Sequence, residues 1–178
     1  MKSIVNKISL TLLGFLVASS LDAFDNNRRE GFFLSLGAGI SQTSYEPYRH
    51  SNSKTGFGTS QKIGYGLTNQ FIVHLSREDS WFKKDNDLHM SCIPGIGATY
   101  YFSEEAKSIF VSGTLGAGTF NNVDEKDENF GAGLSLTLGY EIVQHFNTEL
   151  TFMAADIDID DEKVNPAIFK LGVSYSWY

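Results

Sequence analysis

The side chains best suited to moving a proton near neutral pH are four histidines, His50, His74, His89 and His145. Two of them have a hydroxyl neighbour that would share a face on an extended chain. His74 lies in IVHLS two residues before Ser76, and His89 lies in DLHMS two residues before Ser91. A base beside a hydroxyl is the smallest unit of nucleophilic catalysis, but adjacency without an acid to orient the imidazole is a weak basis for it. No catalytic residue is assigned, and the chain is expected not to be an enzyme. Two acidic stretches offer the hard oxygen ligands that Ca²⁺ takes. DIDIDDEK carries Asp156, Asp158, Asp160, Asp161 and Glu162, and DEKDE carries Asp124, Glu125, Asp127 and Glu128. The first lacks the glycine turn and twelve-residue spacing of an EF-hand. Both read as solvated loops, and neither a metal nor a cofactor is expected.

Composition bounds the setting for any such chemistry. Lys2 and Lys7 flank the start of an apolar run, ISLTLLGFLV at 8–17, and ASSLDA follows with small residues at a cleavage position. A membrane-spanning helix needs about 20 apolar residues, and this order of basic, apolar and small is that of a secretory signal. Residues 1–23 are expected to be a signal peptide, cleaved after Ala23. Its removal takes away Lys2, Lys7 and Asp22, so 14 basic and 21 acidic residues become 12 and 20, a net charge of −8. With no basic patch to neutralise phosphates, nucleic acid is not an expected partner. Cys92 stands alone, so no internal disulfide can form.

The remaining chain is patterned as strands. In GFFLSLGAGISQ, Phe32, Leu34, Leu36, Ala38 and Ile40 alternate with Phe33, Ser35, Gly37, Gly39 and Ser41. Period-two alternation of this length predicts a strand with two chemically different sides. The pattern predicts eight strands, at 31–42, 55–67, 70–77, 89–102, 108–119, 130–142, 147–156 and 166–178. Long polar connections at 43–54, 78–88, 120–129 and 157–165 alternate with short ones near Thr68, at 103–108 and at 143–146. Pro94 cannot donate to a ladder, so a bulge is expected at CIPGIG.

Thirteen of the 17 glycines fall opposite the apolar face, mostly among Ser and Thr, with Lys62, Glu141, Glu149 and Lys170 as the clear charges there. Soluble surfaces are typically about 25–35% charged. A face this poor in charge suits the packed inside of a narrow barrel, where eight strands leave room for little beyond side chains. The apolar face would then meet lipid. Phe57, Tyr65, Tyr100, Phe102, Phe130, Tyr140, Tyr175 and Trp177 lie on it, mostly toward strand ends, as aromatic girdles do. A closed barrel also explains the ending FKLGVSYSWY, because lipid cannot satisfy a bare strand edge and the last strand must pair with the first.

The stretch 170–177, with Lys170, Gly172, Tyr175 and Trp177 followed by Tyr178, resembles the C-terminal assembly signal of outer-membrane barrels. Residues 31–178 resemble the small eight-stranded barrels of the outer membrane protein A and X group. The resemblance implies an all-β, eight-stranded antiparallel up-and-down transmembrane barrel at 24–178, in the outer membrane of a Gram-negative bacterium. It implies outer-membrane lipid, lipopolysaccharide and the barrel assembly machinery as partners, with a surface ligand or host factor besides. The expected role is non-enzymatic, structural or surface-interacting, and carried by acidic extracellular loops. Two other readings stay open. One is a lipid A-modifying enzyme using His89 or His74, although His145 falls in an expected periplasmic turn. The other is a soluble periplasmic barrel of lipocalin type with its apolar face hidden inside.

Overall fold

The computed structural model describes residues 28–45, 52–84, 87–122, 129–159 and 162–178. The expected signal peptide and the acidic stretch 124–128 lie outside them. Among the described residues nine strands follow one another: β1 Gly31–Tyr45, β2 Asn52–Gly66, β3 Phe71–Lys84, β4 Asp87–Tyr101, β5 Ile109–Asn122, β6 Phe130–Val143, β7 Phe146–Ile159, β8 Glu162–Val164 and β9 Ala167–Trp177. Each strand from β1 to β6 is antiparallel to the next, β6 pairs with β7, β7 with both β8 and β9, and β9 with β1. The sheet therefore closes on itself. β8 and β9 form one stave of the wall, broken at Asn165 and Pro166, so the barrel has eight staves.

Register fixes its shape. Stepping from Leu34 to its partner Ile63, and on through Leu75, Ile96, Leu115, Leu134, Ala154 and Ala167, returns to β1 at Ser44, ten residues farther along. With a rise of about 3.3 Å per residue and about 4.8 Å between strands, eight strands sheared by ten tilt by about 40°. Alternation then sorts the side chains. Ile40, Ile96, Leu115 and Leu171 are among the most exposed residues, whereas Ser35, Lys62, His74, Thr114 and Ser135 are buried. The apolar face is outside and the polar face inside. That arrangement is the opposite of a soluble lipocalin-type barrel.

Two expectations about the wall are corrected. The connection expected at 78–88 is mostly strand, because β3 runs to Lys84 and β4 begins at Asp87. The connections expected at 43–54, 120–129 and 157–165 shorten similarly at the ends of β1, β2, β5, β7 and β8. Strands β1 to β7 have 14 or 15 residues, against about 9–11 needed to cross a bilayer. Their far ends stand beyond the apolar belt, where polar residues suit both faces and alternation fades. The bulge expected at Pro94 is also absent. The β3–β4 register runs unbroken through Pro94, opposite Arg77, and the β4–β5 register resumes unshifted at Gly95. The proline drops a rung without inserting a residue. The register shift of the β6–β7 hairpin lies between Glu141 and Val143, next to His145 with its positive φ of 72°.

Candidate functional site

The lumen holds a chain of alternating charges. Glu78 on β3 faces two lysines: Lys170 Nζ on β9 donates to its Oε2, and Lys62 Nζ on β2 lies 3.9 Å from its Oε1. Lys62 also lies 3.8 Å from Glu149 Oε1 on β7, which accepts from Ser174 Oγ at 2.7 Å. Lys170 Nζ donates a further bond to the Thr59 carbonyl at 2.9 Å. All four ionic side chains are buried. Two carboxylates and two ammonium groups sum to zero, which is how a buried set of charges becomes tolerable. Hydroxyls fill the space around them: Ser76 bonds Thr114 at 2.7 Å, Thr137 bonds Thr151 at 2.9 Å, and Ser41 bonds Ser80 at 2.8 Å.

Glu141, the fourth charge singled out in the sequence, stands apart from this chain. Its partner is Arg29, just before β1, whose Nη2 donates to the Glu141 carboxylate and to the Glu105 carbonyl at 2.9 Å. Arg29 Nη1 reaches the carbonyls of Ser103 at 2.8 Å, Asn69 at 3.2 Å and Glu104 at 3.3 Å, and the guanidinium lies 3.9 Å above the Tyr101 ring. One side chain thus ties the β2–β3 and β4–β5 turns to Glu141, beside the β6–β7 turn, across the barrel mouth. Tyr178 completes the cap by donating its phenol to Glu141. Burial, and then the Glu141 carboxylate, push that phenol above its ordinary range, so it stays a donor.

Apolar layers close the lumen above and below the charges. Phe33, Ile72, Tyr101, Phe110 and Tyr178 pack at the Arg29 end, and the Phe110 ring covers Gly139, where any Cβ would come within 2.1 Å of it. Ile93, Met153 and Ile168 form a middle layer. Phe82, Phe120, Ala155 and Ile157 pack at the opposite end, with Val164 against them.

His74 and Ser76 turn to different partners. His74 Nε2 meets Thr99 at 3.0 Å and Ser112 at 3.3 Å, while Ser76 turns to Thr114. His89 stacks on Phe82 at 5.8 Å and leans on Phe120, with Ser91 buried below it. His145 sits in the tight turn between β6 and β7, 4.6 Å from the Tyr178 ring. Among the described residues no cluster of three His, Cys, Asp or Glu could hold a metal; the stretch 124–128 is outside them.

The C-terminal residues divide by face. Tyr175 and Trp177 point outward with their rings tilted against each other, centroids 4.7 Å apart, whereas Lys170 and Tyr178 turn inward to Glu78 and Glu141. Gly172 lies so near β1 that a Cβ would meet the Ala38 carbonyl at 2.5 Å. Deleting Trp177 and Tyr178 therefore removes an interfacial ring and half of the Glu141 cap. The truncated chain is expected to be degraded or to accumulate in the periplasm, as read by fractionation. Normal membrane levels would show that the terminal pair is dispensable.

Reasoning from sequence missed Glu78 and Arg29. Glu78 carries a signal, since His74, Ser76, Glu78, Ser80 and Phe82 hold one parity, but apolar alternation on the other face stops at Leu75 and the strand it predicts ends at residue 77. Arg29 had none: its partners are 40 to 112 residues away.

Neither protein-family models nor curated protein sequences match the chain. Solved structures do. The attachment invasion locus protein Ail of Yersinia pestis is 17% identical, with a TM-score of 0.59 over 83% of this chain and 99% of that one. Ail in complex with the heparin analogue sucrose octasulfate gives 16% identity and a TM-score of 0.56, over 83% and 99% of the two chains. Neisserial surface protein A is 14% identical, with a TM-score of 0.55 over 82% and 97%. The chain has the fold of small eight-stranded outer-membrane barrels.

Proposed function

We propose that this chain is an integral outer-membrane barrel of a Gram-negative bacterium, exported by its N-terminal signal, that acts at the cell surface and not through catalysis or transport. The observation that carries this reading is the closed lumen. Its charges are paired and its ends are blocked by aromatic and aliphatic layers, which leaves the rims as the accessible polar surface. Residues 170–178 would guide assembly by the barrel assembly machinery, and the wall would rest among lipid and lipopolysaccharide. The strand ends opposite Arg29 flank four stretches of sequence, 46–51, 85–86, 123–128 and 160–161. They carry eight acidic residues (Glu46, Asp85, Asp124, Glu125, Asp127, Glu128, Asp160, Asp161) against two basic ones, Arg49 and Lys126.

That sign selects the partner. A rim of this charge attracts a cationic surface and repels a polyanion. The Ail complex is with a polysulfated sugar, so the shared fold would serve a different ligand here. The test uses full-length protein in nanodiscs, probed with a lysine decapeptide and with sucrose octasulfate. Salt-sensitive binding of the peptide is expected, lost when Asp124, Glu125, Asp127 and Glu128 become amides. Tight binding of sucrose octasulfate, with none of the peptide, would overturn the acidic-rim reading.

Transport is tested separately. Open channels need about 16 or more strands, so purified protein in planar bilayers is expected to show no large, long-lived conductance. Stable porin-like openings from a monomer would contradict a filled lumen.

A further inference from the structure

The outer wall is apolar on most staves and polar on one side. Outward positions on β6 read Ile142, Tyr140, Leu138, Leu136 and Leu134, and those on β9 read Trp177, Tyr175, Val173, Leu171 and Phe169. On β2 and β3 the series is broken. Gln61 stands opposite Arg77 and Thr59 opposite Asp79, all on the outer face. In strands tilted by about 40°, each residue climbs about 2.5 Å along the barrel axis. Gln61 then lies about 10 Å above Tyr65 of the aromatic girdle, and Arg77 about 15 Å above Phe71, in an apolar band about 25 Å tall. Both sit near the middle of the hydrocarbon layer.

Their hydrogen bonding is incomplete. Arg77 Nε donates to both oxygens of Asp79, at 2.9 and 3.1 Å, and Nη2 reaches Met90 Sδ at 3.7 Å. Thr59 Oγ1 donates to Asp79 Oδ2 at 3.1 Å. Asp79 is thereby satisfied and covered, while the Arg77 side chain is 47% exposed. The remaining guanidinium N–H groups and the whole Gln61 amide have no partner among the described residues. Beside them a groove of about 320 Å³ is lined by Leu34, Leu36, Gln61, Ile63, Leu75 and Arg77.

We infer that this wall is a docking surface for a second copy of the chain within the membrane. The inference rests on the barrel standing in a bilayer. At this depth a lipid offers only hydrocarbon, which satisfies neither amide nor guanidinium, and polar groups so placed associate with protein. The patch is complementary to itself. About a two-fold axis along the membrane normal, the Gln61 amide meets the partner's Gln61 at equal depth, each donating and accepting one bond. Arg77, opposite Gln61 in the ladder, would flank that amide pair. Exposed Leu36, Ile63 and Leu75 border the groove and supply the apolar contact.

Site-directed disulfide formation tests this in outer membranes carrying the full chain with Cys92→Ser. Ile63→Cys, which borders the groove and leaves Gln61, Arg77 and Asp79 in place, is compared with Leu138→Cys, which faces lipid from β6 at similar depth. Recovery in the membrane fraction is scored first, so a failure of membrane residence is seen separately. With copper phenanthroline as oxidant, the dimer at position 63 is expected to exceed that at 138 by at least tenfold. A variant with Gln61, Arg77 and Asp79 all replaced by Leu is expected to keep its folded gel mobility and to sediment in detergent as a monomer where the parent is a dimer. Equal cross-linking at both positions, or a parent that is monomeric and retains lipid on this wall by native mass spectrometry, would overturn the inference.

Discussion

Replacing Glu78 with glutamine is expected to destabilise the barrel by about 3–5 kcal/mol, the cost of breaking a buried ion pair from one side. Glu78 is fully buried and serves two cations, so its loss leaves Lys170 with the Thr59 carbonyl and Lys62 with Glu149 alone. The amide keeps the size and removes the charge, which isolates electrostatics from packing. The measurement is the urea midpoint of folded protein in detergent, followed by the mobility difference between unheated and boiled samples. A double change, Glu78→Gln with Lys170→Met, should recover part of the loss, because it restores neutrality in the lumen. An unchanged midpoint for the single variant would mean that water, and not Glu78, solvates the lysines.

Leu136→Arg is expected to cost about 2–4 kcal/mol, the penalty for a cation on the lipid face near mid-depth. Leu136 is 51% exposed on β6, and its partners Gly113 and Phe152 offer no counter-charge. Ser135, one residue away, is 2% exposed and points at the lumen between Thr114 and Met153. Ser135→Thr adds one methyl group to the interior and no charge, and a loss of about 1 kcal/mol, the low end for overpacking, is expected there. Unfolding in lipid vesicles reads both variants. Tolerance of Arg at 136 would mean that the wall at this point does not meet lipid. Natural Arg77 is the informative contrast, since it occupies a comparable position and brings Asp79 with it.

Particular residues show how far the chain could be read by pattern. The face carrying Leu134, Leu136 and Leu138 was legible, as was the opposite face carrying Gly133, Ser135 and Thr137, because alternation is a local property of a strand. The upper half of β3 was not. From Arg77 to Ser80 both faces are polar: Glu78 and Ser80 because the lumen is polar, Arg77 and Asp79 because they pair on the outer wall. A hydrophobicity pattern has nothing to register there. Pro94 misled in the other direction, since a missing donor predicts disruption and the ladder simply omits a rung.

Local pattern along the chain suffices for the all-β class, the barrel, the identity of the inward and outward faces, and the inward place of Lys62, Glu141, Glu149 and Lys170. Each follows from period-two chemistry along one strand, or from the need of a strand in lipid to leave no open edge. The tertiary structure alone decided the shear of ten, the pairing of Lys62 and Lys170 with Glu78, the Arg29 cap over Glu141, and the gathering of Gln61, Arg77 and Asp79 on one side. Those depend on which strands lie side by side and by how many residues they slide. Register is a property of closure, set when β9 meets β1, and no stretch of chain contains it.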